Sequence, residues 1–226
     1  MKPLYLGLIC LLLVFNCKSD RQKIQTDDDL NTTLVEKIAN AHGFVHWKNV
    51  SEVKFTFQVD RDTIKGNGRS WTWLPKTDKI KMTTGETSIA YTRSKMDSTH
   101  IGVDQEFIND KFWLLVPFQL VWDSAAEISQ PIFTIAPISK MQLNMLTITY
   151  PNEGGYTPGD AYDIYYDNDF IIREWVFRKG NAKEPSLTTT FENYKTYNGI
   201  KIATAHKMAN KNWNLNFTDV SITLEN

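Results

Sequence analysis

Between Ser51 and Asp60 the sequence reads SEVKFTFQVD, with an apolar residue at every second position. Val53, Phe55, Phe57 and Val59 share one face; Glu52, Lys54, Thr56, Gln58 and Asp60 share the other. A period of two marks a half-buried strand, because successive side chains point to opposite faces. The same style recurs in GNGRSWTWLP, KIKMT, TSIAYTR, LNMLTITY, AYDIYYD, FIIREWVF, LTTTFENY, IKIATAHKM and WNLNFTDVSITL. Their connections are rich in turn formers: TTGE, PNEGGYTPGD, DND, KGNAKEP and the Asn198-Gly199 pair. About ten strands joined by short turns describe an antiparallel meander, not alternating strand and helix. One helix is expected ahead of them in TTLVEKIANAHG, where Thr33 and Glu36 have capping-box spacing and Gly43 ends the pattern.

One segment breaks the alternation. In FWLLVPFQLVWD, ten of the eleven residues from Phe112 to Trp122 are apolar, Gln119 being the exception. As a strand it would be apolar on both faces; as a helix it would be interrupted at Pro117 after a turn or two. Either way it must be buried on most sides. Eleven residues are too few to cross a bilayer, which takes about 20. Its large side chains would line a cavity for a greasy ligand or plug the sheet as ordinary core.

The N-terminus carries a different signal. MKPLYLGLICLLLVFNC pairs a basic start at Lys2 with an apolar run from Leu4 to Phe15, the layout of a secretory leader. Cys17 follows, and then the charged stretch KSDRQKIQTDDD, Lys18–Asp29. This resembles a bacterial lipoprotein signal, with Asn16 where a small residue is usual. The resemblance implies removal of residues 1–16, lipidation of Cys17 and anchoring to the outer membrane, on its periplasmic face or at the cell surface. Residues 17–29 then form a flexible tether, and 30–226 a single domain. Cys10 lies in the leader, so the mature chain keeps one cysteine and has no internal disulfide or cysteine metal site.

A helix feeding a long meander, with an apolar insert midway, is similar to the Lol-type lipoprotein carriers and receptors. NDKFWLLVPFQLVWD and EGGYTPGDAYDIYYDND…IIREWVF are similar to uncharacterised Bacteroidota lipoproteins of that architecture. The resemblance spans roughly Leu30 to Glu225. It implies a mainly β fold with a few helices: a strongly curved antiparallel sheet, an unclosed half-barrel, with the insert as a helical element over a hydrophobic cavity. An anchored protein departs from a freely diffusing shuttle and suits a receptor or a separate lipid-binding lipoprotein. The candidate ligand contacts are Trp71 and Trp73, two apart on one strand, with Phe112, Trp113, Leu115, Phe118, Leu120 and Trp122 of the insert. The bland reading of each is core packing.

Other chemistries find little support. Glu153, Asp160, Asp163, Asp167 and Asp169 match no calcium-loop spacing and read as turn residues. His42, His46, His100 and His206 belong to no zinc motif. There is no GxSxG, SxxK, P-loop or dinucleotide fingerprint, so neither cofactor nor catalysis is expected. A net charge of -1 over 226 residues gives no basic face for nucleic acid. The expectation is a monomeric, membrane-anchored lipoprotein that binds a lipid or acyl chain. An envelope scaffold or glycan-binding module with a solid core is the alternative, and a hydrolase the remotest.

Overall fold

The computed structural model describes residues 32–154 and 156–225. The leader, Cys17 and the tether lie outside the described residues. Helix α1, Leu34–Ala41, starts as its sequence predicts: Glu36 N donates to Thr33 Oγ1 (3.4 Å) and Thr33 N to Glu36 Oε2 (2.7 Å). Gly43 takes φ +91° and admits a 3-10 turn, Phe44–Asn49. A Cβ on Gly43 would meet Gly199 O at 2.1 Å, so this turn and the Asn198-Gly199 hairpin touch backbone to backbone.

The strands form two antiparallel sheets, and neither closes into a barrel. The first contains β1 (Val50–Arg61), β2 (Arg69–Leu74), β3 (Lys79–Thr84), β4 (Thr87–Thr92), β11 (Glu192–Tyr197), β12 (Ile200–Lys207) and β13 (Trp213–Leu224), in the order β11-β12-β13-β1-β2-β3-β4. The long β1 and β13 pair with Phe57 opposite Phe217 and Val59 opposite Leu215. Val53, Phe55 and Phe57 are buried as the alternation requires. The second sheet runs β10 (Leu187–Thr190), β9 (Ile172–Arg178), β8 (Ala161–Tyr166), β7 (Gln142–Thr149); β5 (Glu127–Ile128) and β6 (Ile132–Ile135) both pair with β7. The sheets meet at a seam. β10 passes into β11 through Phe191 alone, whose N–H donates to Arg173 O at 2.7 Å. Buried His206 approaches Thr190 O across the same seam, Nδ1 to O 3.1 Å.

The apolar insert is helical. It forms α2, Ile101–Leu114, and α3, Val116–Trp122, separated by Leu115 at φ -123°, ψ 29°. Pro117 falls in the first turn of α3, where a missing N–H breaks no helical bond. α2 contacts both sheets. Phe107 packs on Trp71 and Trp73 of the first sheet at 5.4 and 5.5 Å between ring centroids, and Trp113 on Trp175 of the second at 4.3 Å. α3 closes the other end through Phe118 against Phe44 (5.1 Å) and Trp122 against Trp47 (4.8 Å).

Two buried carboxylates fix α2 to the first sheet. Asp110 accepts from Arg69 Nε and Nη2 at 2.9 and 2.7 Å and from Trp71 Nε1 at 2.9 Å. Asp104 accepts from Arg93 Nε at 2.7 Å and from the Tyr91 hydroxyl at 3.0 Å. Each carboxylate holds its arginine's proton above the usual guanidinium range.

Candidate ligand pocket

α2 lies close to the second sheet without filling all the space beside it. A pocket of about 420 Å³ remains, a size that falls within the range of small-molecule sites. The helix contributes Gln105, Ile108, Asn109, Phe112 and Trp113, one face at helical spacing. The sheet contributes Tyr162 from β8, Trp175 and Phe177 from β9, and Leu187 from β10. The connection between β7 and β8 adds Tyr156, Thr157 and Asp160.

The walls are mostly aromatic and the polar groups are few. Tyr162 donates to Thr157 Oγ1 at 3.1 Å, and burial pushes its phenol pKa upward, so it stays a neutral donor. Asp160, the one charged residue of the lining, accepts from Gly180 N at 2.7 Å. Gln105 and Asn109, four apart on an exposed stretch of α2, put amides at the rim. The site can therefore enclose an apolar group and offer hydrogen bonds at one side.

Of the eight ligand contacts expected from sequence, Phe112 and Trp113 line this pocket. Trp71, Leu115 and Phe118 are at most 1 % exposed inside the core, and Trp73 and Leu120 are buried with them. Trp122 is half-buried against Trp47 and Phe118. Sequence reasoning did not single out Tyr156, Tyr162, Trp175, Phe177, Ile108 or Leu187. Trp175 and Phe177 are visible as one face of FIIREWVF, but their partner helix is distant in the chain.

The remaining candidates fall to structural roles. Asp163 lies in mid-strand, not in a turn, and pairs with Arg178 (3.1 Å) and the Thr147 hydroxyl (2.7 Å). Asp167 caps its turn through Asp169 N and Ile171 N, both at 3.0 Å. His42 is buried, with Nδ1 donating to Ile38 O at 2.8 Å and Nε2 accepting from Ile172 N at 3.4 Å. Among the described residues no three His, Cys, Asp or Glu side chains converge as a metal site.

Lys111 sits on the back of the pocket wall and is only 4 % exposed. Its ammonium donates to the Tyr156 hydroxyl at 2.7 Å and lies 4.5 Å from the centre of that ring. Trp73, Trp122 and Phe107 follow at 5.5, 5.8 and 5.9 Å. These rings offset part of the cost of burying a cation. Gln119 is enclosed in the same helical insert with neither amide atom hydrogen-bonded.

Burial, with Arg93 adding to it, pulls the Lys111 pKa from 10.5 down to about 7. Between those values the unfolded chain holds a proton that the folded chain has released. Stability from this group therefore rises with pH across the window, and the burial penalty is fully present below it. Lys111→Met keeps the stem and removes the charge. It is expected to stabilise the domain by about 1–3 kcal/mol at pH 6, with the advantage shrinking toward pH 9. Thermal melts of both proteins across that range check this; a pH-independent difference would contradict it.

No known protein-family model matches the chain, and no curated protein matches it. Among solved structures, it is similar to a LolA superfamily protein from Nitrosomonas europaea, with a TM-score of 0.47 and 10% identity over 86% of this chain and 96% of that one. It is also similar to MucB in complex with MucA(peri), with a TM-score of 0.23 and 8% identity over 85% of this chain and 56% of that one. No residue of the pocket is transferred from either.

Proposed function

We propose that this protein is an extracytoplasmic lipoprotein, anchored through Cys17 to the outer membrane, that binds a hydrophobic ligand without catalysis. The ligand is a lipid or an acyl chain, held between α2 and the second sheet by the protein as a monomer. One observation carries the reading: a pocket of about 420 Å³ walled by Phe112, Trp113, Tyr162, Trp175, Phe177 and Leu187. Burial of apolar surface supplies the affinity, at roughly 25 cal/mol per Å² before the costs of association. The tether would leave the domain free to meet ligand delivered at the membrane.

A second reading, an envelope scaffold, is favoured by a different observation. Most of the insert's large side chains are spent on core packing, which a solid module needs as much as a carrier does. Calorimetric titration with a monoacylglycerol separates the two. The carrier reading expects saturable binding in the wild-type protein and at least a tenfold loss in Ile108→Trp, which fills the pocket from the helix side. No heat and no saturation in the wild type would leave the scaffold.

A further inference from the structure

Half of the eight exposed large apolar side chains among the described residues fall in one short segment. Ile132 (54 %), Phe133 (62 %), Ile135 (52 %) and Met141 (60 %) all lie on the β6–β7 hairpin. β6 pairs with β7 on one side, and its other edge carries no strand among the described residues. Edge strands are normally blunted by charge or proline. Here prolines (Pro131 and Pro137) bracket β6, and the stretch from Ile128 to Tyr150 carries a single charged residue, Lys140, and no acid. An apolar edge with one cation and no carboxylate suits a lipid surface, where acids would be repelled by anionic headgroups.

The point where the chain enters the domain agrees with this. Thr33, Leu34 and Lys37 at the start of α1 share a groove with Ile128, Gln130 and Pro131, the residues that lead into β6. Cys17 precedes Thr33 by 16 residues. At about 3.3–3.6 Å per residue, even a fully extended connection reaches no more than about 58 Å. The chain thus enters the domain beside the hairpin.

We propose that the β6–β7 hairpin docks on the bilayer that holds Cys17, with Ile132, Phe133, Ile135 and Met141 entering the headgroup region. The inference rests on the lipid-anchor reading and is independent of what fills the pocket. It orients the domain relative to the membrane, where a tether alone would let it tumble.

The test uses the lipidated, processed chain in vesicles of phosphatidylethanolamine and phosphatidylglycerol. Lipidation consumes the Cys17 sulfur, so Phe133→Cys offers a single thiol for an environment-sensitive fluorophore. Glu86→Cys, in the exposed β3–β4 turn, is the reference. Docking predicts blue-shifted emission at position 133 and quenching by doxyl-labelled lipid several-fold stronger than at position 86. Equal quenching at both positions would overturn it. Shielding that grows with protein-to-lipid ratio and is unaffected by the quencher would also overturn it, since a second copy would then cover the edge. A Cys17 peptide without acyl mass would remove the anchor, and the docking proposal with it.

Discussion

Leu115→Asp is expected to cost the domain about 4 kcal/mol or more. Leu115 is 1 % exposed at the junction of α2 and α3. The substitution removes about 2–3 kcal/mol of apolar burial. It also buries a carboxylate one helical turn from Lys111, which adds several kcal/mol unless the group pairs with that lysine or takes up a proton. Denaturant unfolding by circular dichroism measures the loss. The result separates two uses of FWLLVPFQLVWD: a movable cover would tolerate the change and lose ligand, whereas packed core loses the fold. A variant as stable as the wild type would show that the junction is not core.

Asp110→Ala is the second large effect, at about 3 kcal/mol. Asp110 is fully buried and satisfies two guanidinium donors and the Trp71 indole. Removing one partner of a buried pair leaves the other uncompensated, which typically costs about 3–5 kcal/mol. The Arg69 side chain is 28% exposed, so part of its charge returns to water and the lower end applies. Glu106, 3.8 Å from Arg69 and itself exposed, is a poor substitute. Asp110→Asn keeps the shape and an acceptor, so its loss should be about half as large. Equal stability of wild type, Asn and Ala forms by chemical denaturation would mean that α2 is held by its apolar face alone.

Much of the fold was legible because its signals are local. The alternation of SEVKFTFQVD, the capping box at Thr33 and Glu36, and the Asn198-Gly199 turn with φ +47° and +85° each act within a few residues. The division into two sheets was not legible, because β10 and β11 are joined through Phe191 without a turn signal. The first half of α2 was also opaque. GVDQEFINDK carries Asp104 and Asp110 on sides that face the sheet, so its polar residues look solvated when they are buried ion-pair partners. For the same reason the insert announced its burial but not its neighbours. Phe112 and Trp113 reach the pocket while Leu115 and Phe118 do not, a distinction set by the helix break at Leu115. The other wall comes from β8, β9 and β10, and only tertiary structure brings it there.

Native mass spectrometry of residues 18–226, purified without detergent and then extracted with organic solvent, tests the ligand reading most directly. The expected result is a lipid-mass adduct that extraction removes, that added monoacylglycerol restores, and that Ile108→Trp fails to carry while remaining folded. A bare wild-type protein that also refuses added lipid would contradict it.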